Sequence, residues 1–525
     1  MLRIIYISSA IALILINLIA CSGGGGDSGS PAVSVDTTPP SIPSGVSSGT
    51  VTSTRVSLSW AASTDNSGSV AGYKIYRNGT YLTSVATTAF TDTNLAYNTV
   101  YRYQISSYDS SNNESARSSE IQVTTAPSFS KQFGTAANDV SNAISIDGNG
   151  NIYIAGYTAG NLDGQLNSGS DDIFLVKYNS AGIKQWTKLL GTAVNESAKG
   201  IAIDSSNNVY IAGWTTGNLD GQINSGSSDA FIIKYDSTGN KLWTKLFGSA
   251  SSDFCQGIAI DSSGYIYIAG DTGGDLDGQI NSGNRDAFVS KFDSNGNVQW
   301  TRLLGTATID DVWGIASDSS GIYITGQTTG NLDGIINAGG TDIYIAKYDF
   351  SGILQWTKLA GTAAEERGRA ITTDNSGNVY ITGETYGDLD GQVNSGGADI
   401  FVIKFDSSGT KQWTRLLGTG NDDVGVCITS DTHGSIYVSG RTMGDLDGNT
   451  NSGNLDIFLS KYDASGTKSW TKTIGTTADD YAHGIVAKED FVYMTGVTDG
   501  NLDGNVNAGA HDIFILQYDL NGSKQ

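Results

Sequence analysis

A unit of about 57 residues recurs along most of this chain and restricts its fold more than any other feature. The tripeptide Leu-Asp-Gly marks it, with aspartates at Asp163, Asp220, Asp277, Asp333, Asp390, Asp447 and Asp503. Their separations are 57, 57, 56, 57, 57 and 56 residues, which makes seven copies. The copy at 186–242 offers four short runs with strand character: GIAID at 200–204, NVYIAG at 208–213, DAFIIKYD at 229–236 and KLWTKLF at 241–247. No run combines a helical period with caps. Four short strands repeated seven times predict an all-β chain whose 127–525 portion is a seven-bladed β-propeller of four-stranded blades. A β-helix has a much shorter period, and a helical solenoid needs helices.

The ends of the array fit a closed ring. Phe129 lies 57 residues before Trp186, so FSKQF at 129–133 reads as an isolated fourth strand ahead of the first copy. DIFILQYD at 512–519 is the third strand of the last copy, and its fourth is missing. The surplus and the deficit predict that 129–133 completes the last blade.

These copies resemble the SBBP family of bacterial β-propeller repeats. GIAID, NVYIAG, NLDGQINSG, AFIIKYD, the DSTGN turn and LWTKLFG carry the resemblance, over about 397 residues. It implies a propeller in an exported or surface protein and no defined reaction.

The N-terminus is read as an export signal at 1–20: Arg3 is followed by an apolar run that ends at Cys21. An uncleaved transmembrane anchor is the alternative, although the glycine tract after Cys21 suits a tether better than a helix end. Leu18-Ile19-Ala20-Cys21 resembles a bacterial lipobox. That resemblance implies cleavage before Cys21, lipidation of its thiol, and a chain anchored to the outer membrane or cell surface. Residues 21–38 have almost no large apolar side chain and read as a flexible tether.

Residues 39–126 alternate in short runs such as VSLSW, ending in Trp60, GYKIYRNG and TVYRYQISSYD, which predicts a β-sandwich. The Pro39-Pro40 start, the Trp60 strand, Gly72-Tyr73 and Leu95 followed by Tyr101 resemble a fibronectin type III domain. ASTDNSGSVAGYKIYRNG is similar to such modules in secreted bacterial glycan-degrading enzymes. The resemblance implies that Tyr101 pins a corner through its hydroxyl. A spacer role is expected, since a sandwich names no ligand.

Charge narrows the partners. Fifty-three acids against 30 bases give a net charge of −23, which repels phosphate backbones and argues against nucleic acid. Cys255 and Cys427 occupy different positions in copies three repeats apart, so they are expected to be unbridged and buried.

Three acids recur in every copy. The first set is Asp139, Glu196, Asp253, Asp310, Glu366, Asp423 and Asp480; the second is Asp172, Asp229, Asp286, Asp342, Asp399, Asp456 and Asp512. The Leu-Asp-Gly aspartates are the third. Alternating strand direction places the second-to-third and fourth-to-first connections on one face, so 21 carboxylates are expected at or near one acidic loop face. In 275–286, DLDGQINSGNRD, oxygens of Asp275, Asp277, Gln279, Asn281 and Asp286 could wrap calcium. Asparagine replaces the first residue in four copies (Asn161, Asn218, Asn331, Asn501), and turn chemistry explains Asn, Asp and Gly together. Calcium is the one cofactor the pattern accommodates.

Other recurrences read as structural. A third-strand lysine, as in Lys177 and Lys234, suggests an ion pair with a recurrent acid, and a second-strand tyrosine, as in Tyr153 and Tyr210, accompanies it. His433, His483 and His511 occupy unrelated positions, as do Arg285, Arg367, Arg369 and Arg441, so no zinc or Ser-His-Asp set is legible. Trp214 and Trp313 depart from the repeat and suit anchors between blades or a stacked sugar.

The function expected is therefore non-catalytic: a monomeric envelope lipoprotein that binds a protein or glycan through the acidic loop face. The alternatives are a secreted glycan hydrolase or lyase on a propeller scaffold, and a purely structural envelope scaffold.

Overall fold

The computed structural model describes residues 36–93, 95–125 and 129–525. The export signal, the lipidation residue Cys21 and most of the tether lie outside the described residues. Among the described residues no helix is long and apolar enough to cross a membrane. The chain is all-β and divides into two compact units. One holds the described residues of 1–49 with 57–91 and 101–123; the other holds 50–56, 92–100 and 124–525.

Two sheets lie mainly in the N-terminal unit. One orders Ser44–Val51, Val56–Ala61 and Ala89–Asp92; the other orders Thr80–Val85, Gly72–Arg77, Val100–Tyr108 and Ile121–Thr124. Alternation decides which side faces in: Val56, Leu58 and Trp60 are buried while Ser59 and Ala61 are exposed. Trp60 meets Tyr73 of the opposite sheet edge-on, 5.4 Å between centroids. Ile75, Tyr103 and Ile105 complete the core between the layers.

The larger unit contains seven four-stranded sheets. In the sheet around residue 220 the strands are Glu196–Ile203, Val209–Thr215, Asp229–Tyr235 and Lys241–Phe247, paired in sequence order. The first strand begins at Glu196, earlier than the expected 200. A register shift between Ala198 and Gly200 interrupts the period-two pattern there, so the sequence shows only the stretch after the bulge. Second and third strands are apolar on both sides, as in Val209–Thr215, because a neighbouring sheet covers each face. One such core joins Tyr153, Ile173 and Leu175 to Ile211, Phe231 and Ile233.

The first strands of successive sheets touch in sequence order, and that of the seventh, Asp480–Lys488, touches that of the first, Asp139–Ile146. Lys131–Phe133 is the fourth strand of the seventh sheet, with Phe133 opposite Ile513 and Lys131 opposite Ile515. This is the seam that the repeat arithmetic predicts. Packing repeats across it. A Cβ added to Gly239, which has a φ of 86°, would lie 3.0 Å from the Trp186 ring of the preceding sheet; at Gly182, φ 72°, it would lie 2.5 Å from Phe129. Phe129 thus occupies at the seam the place that tryptophan takes elsewhere, and glycine is required opposite each ring.

Candidate ligand-binding face

Of the recurrent acids, the seven Leu-Asp-Gly aspartates are exposed and the other fourteen are not. All fourteen members of the first two sets are at most 1% exposed. Glu196 opens its first strand and accepts hydrogen bonds from the Thr192 backbone N–H at 2.7 Å, the Thr192 hydroxyl at 2.7 Å and the Thr215 hydroxyl at 2.9 Å. It thereby ties the fourth-to-first connection to the end of the second strand. Asp172 opens its third strand and accepts from the Ser168 N–H at 2.8 Å, closing the long loop. Loss of solvation pushes both carboxyls above their ordinary range, and the charge of Asp172 adds to the shift at Glu196. The third set lies along the outer edge strands: Asp163 accepts from Lys184 Nζ at 2.7 Å and from the Thr187 hydroxyl. The expectation of 21 carboxylates at or near one acidic loop face is therefore corrected: fourteen are buried loop clamps, and only the seven Leu-Asp-Gly aspartates are exposed. Regular spacing reveals that an acid recurs, not which way its oxygens point.

The calcium reading of 275–286 is corrected for the same reason. Asp275 Oδ1 accepts from Asn281 N at 2.9 Å, Asn281 Oδ1 from Gly283 N at 2.8 Å, and Asp286 Oδ2 from Ser282 N at 2.8 Å. Asp277 sits at φ 49° and accepts from the Thr301 hydroxyl at 2.7 Å on the outer strand. One oxygen of Asp275, Asn281 and Asp286 thus holds the loop shut, and one of Asp277 ties it to the outer strand. Asn161 makes the same bond to Asn167 N, at 2.9 Å, which explains why Asn and Asp interchange. Among the described residues the acids of the repeat do not gather in threes.

The lysine expectation changes too. Lys177 Nζ donates to the backbone carbonyl of Ser237 in the next sheet at 2.8 Å and lies 5.0 Å from the Tyr153 ring centroid. It joins neighbouring sheets through a carbonyl and an aromatic face, not through a carboxylate.

What differs between copies is concentrated. The second and fourth residues of the seven first strands are Val140 and Asn142, Ser197 and Lys199, Phe254 and Gln256, Asp311 and Trp313, Arg367 and Arg369, Val424 and Val426, and Tyr481 and His483. Adjacent first strands bring these unlike residues together. Trp214 meets Phe254 edge-on at 5.5 Å, and Arg369 lies 5.3 Å from the Trp313 ring, so both atypical tryptophans contact the next sheet.

Two mixed-charge clusters result. In one, Arg285 bridges Asp271 at 3.2 Å and Asp311 at 2.9 Å. Burial, reinforced by Asp311 and opposed by Arg285, pushes Asp271 up to about 7. In the other, Arg369 grips Glu384 with two bonds of 2.5 and 2.6 Å, and Arg367 reaches Glu384 at 3.6 Å and Glu365 at 2.9 Å.

The second cluster borders a cavity of about 290 Å³, lined by Arg367, Arg369, Glu384, Tyr386, Asp422, Val424, Arg441, Met443, Leu455 and Tyr481. Its residues come from the starts of first strands, the ends of second strands and the loops beyond them, so it opens on the face of the long connections. Arg441 lies 5.6 Å from the Tyr481 ring centroid, and among the described residues its guanidinium has no carboxylate partner. Nearby, His483 stacks on Tyr481 and its Nδ1 contacts the Ser141 carbonyl at 2.9 Å. Loss of solvation, countered by that carbonyl, pushes the imidazole down to about 4. His511 pairs with Asp499.

Sequence reasoning missed this site. It treated the arginines as scattered because they occupy non-equivalent repeat positions, and that non-equivalence is what makes the cavity asymmetric. Subtracting the repeat and keeping its exceptions would have exposed Arg367, Arg369, Arg441 and Tyr481.

The family model described as a beta-propeller repeat, SBBP, matches residues 129–163, 185–220, 242–277, 355–390 and 412–447, so the chain carries SBBP β-propeller repeats. The chain is similar to the regulatory protein FlaEY of Caulobacter vibrioides, 26% identical over 387 residues, which cover 68% of this chain and 36% of that protein. It is also similar to chitinase Chi52 of Paenibacillus xylanexedens, 47% identical over 104 residues, or 20% of this chain and 19% of the chitinase. Exoglucanase B of Cellulomonas fimi is 37% identical over 134 residues, or 23% of this chain and 12% of that enzyme. The chain thus spans 36% or less of the length of these relatives.

Proposed function

We propose that the seven sheets are the blades of a closed seven-bladed propeller, and that the chain is a non-catalytic binding protein of the cell envelope. Its ligand is an acidic glycan seated in the cavity between Arg367, Tyr386, Arg441 and Tyr481. The observation that carries this reading is the guanidinium of Arg441, which lacks a carboxylate partner among the described residues and lies beside an aromatic ring at the cavity wall. A guanidinium is suited to fork onto a carboxylate, and an aromatic face is suited to stack on a sugar ring. A non-catalytic role is supported by the pairing of Glu384 with two arginines and by the contact of His483 Nδ1 with a backbone carbonyl. The similarity of short segments to proteins named chitinase and exoglucanase supports a glycan over a protein ligand.

The remaining parts of the reading rest on sequence. Residues 39–126 act as a fibronectin type III spacer, and a lipid on Cys21 anchors the chain. A glycan array probed with the full chain tests the ligand class. Retention on uronate-containing oligosaccharides, weakened by salt, is expected; retention on neutral glycans alone, or on none, contradicts the reading. Loss of the lipid in a Cys21→Ser chain, seen as a mass difference, tests the anchor.

A further inference from the structure

Six of the seven junctions between neighbouring sheets are closed by a lysine of the third strand. Lys177, Lys234, Lys291, Lys347, Lys404 and Lys461 each donate to a backbone carbonyl in a turn of the next sheet, at 2.8–3.2 Å. Each ammonium also faces the second-strand tyrosine of its own sheet, 4.9–5.3 Å from the ring centroid. At two junctions the fourth-strand tryptophan donates to the same carbonyl: Trp300 to Phe350 at 3.3 Å and Trp413 to Ala464 at 3.2 Å.

The seventh junction has neither donor. Gln517 stands opposite Tyr493 where lysine stands in the other sheets, and Phe129 replaces tryptophan. Gln517 Nε2 turns instead to the Tyr493 hydroxyl, 3.0 Å away. The carbonyl at the corresponding turn position is that of Ser180, and among the described residues it receives no donor. A cavity of about 340 Å³ lies here; Phe129, Ser180, Phe491, Tyr493 and Gln517 are among its walls, and all of its walls belong to the larger unit. Two of these rings repeat a clamp of the third sheet. There the Lys291 ammonium lies 3.9 Å from the Tyr265 ring centroid and 5.3 Å from that of Tyr267. Phe491 and Tyr493 are likewise two residues apart, and Tyr493 is paired with Gln517 as Tyr267 is with Lys291.

We propose that this seam cavity binds an alkyl ammonium group, carried by a free amine or by a lysine side chain. The ligand takes the place that the chain's own lysine fills six times: its N–H groups meet the Ser180 carbonyl, and its charge faces the rings of Phe491 and Tyr493. Phe129 supplies a third ring, edge-on to Tyr493 at 5.7 Å. Lys488 and Glu489 also line the cavity, and their opposite charges offset each other. Burial, joined by the Glu489 charge, pushes the Tyr493 hydroxyl up to about 12, so a negative field reaches this ring. An anion suits the place less well, because a carbonyl oxygen and the faces of aromatic rings both repel it.

The test is saturation-transfer NMR on the full chain with n-butylammonium chloride, and with n-butanol as the uncharged control. Saturable transfer to the amine and none to the alcohol is expected. Gln517→Lys fills the place as the other six sheets do, and it is expected to abolish the transfer without lowering the unfolding midpoint. Phe491→Leu removes one ring and is expected to weaken binding by about threefold, the scale of one exposed cation–π contact. No transfer to the amine in the wild-type chain overturns the site. Equal transfer to amine and alcohol, or undiminished transfer in Gln517→Lys, overturns it as well. If Gln517→Lys misfolds, Phe491→Leu decides, and wild-type affinity in that variant contradicts the site. Nα-acetyl-lysine amide as a second probe separates the sources: tighter binding than butylammonium assigns a lysine side chain, and weaker binding assigns a free amine.

Discussion

Arg369 and Glu384 are locked by two parallel bonds, Nε to Oε2 at 2.5 Å and Nη2 to Oε1 at 2.6 Å, with the Glu384 side chain only 1% exposed. The pair joins the inner strand Glu366–Thr373 to the second strand Val379–Thr385 of one sheet and forms part of the cavity wall. Removing one partner leaves charge with reduced solvation. Glu384→Gln is expected to lower stability by about 2–4 kcal/mol, read as a shift in the urea midpoint. Replacing both, as Arg369→Met with Glu384→Leu, is expected to recover most of the loss, because the desolvation penalty disappears with the charges.

Asp271 predicts a pH dependence with a definite sign. Its carboxyl is pushed from 3.8 up to about 7 by burial and by Asp311, against Arg285. The folded chain therefore holds this proton more tightly than the unfolded chain does. The associated stability is complete below pH of about 4 and is lost as pH rises through about 7. Asp271→Asn removes this dependence. The fall in unfolding free energy between pH 5 and 8 is expected to be about 2–4 kcal/mol smaller in the variant than in the wild type. Identical pH profiles would refute the assignment.

The seam offers a third check. Phe129 is 6% exposed and meets Tyr493 edge-on at 5.7 Å. Phe129→Ala is expected to cost about 3–5 kcal/mol and to free the amides of Lys131–Phe133 for exchange. Phe129→Trp restores the residue found at the equivalent place in the other copies and is expected to be tolerated. Equal exchange in wild type and Phe129→Ala would mean that the strand is held by other contacts.

Much of the fold was legible because seven copies repeat the same four strands, and the odd strand at 129–133 announced its own partner. The start of the first strand was not, since the bulge after Ala198 breaks the alternation that identifies strands. The acids misled because Asn and Asp turns, buried clamps such as Glu196 and true ligands all recur with equal regularity. Their difference lies in which donors face them, as the three bonds to Glu196 illustrate. The cavity was hidden by the same regularity. Arg367 and Arg441 come from different strands of different copies, and only the ring of first strands makes them neighbours.

The proposed ligand, an acidic sugar, is held by Arg441. The direct measurement is a calorimetric titration of the full chain with a uronate oligosaccharide retained on the array, compared with Arg441→Ala. The variant is expected to unfold at the wild-type midpoint but to bind at least about tenfold more weakly, the scale of one charge-assisted hydrogen bond. Undiminished affinity in Arg441→Ala would contradict it.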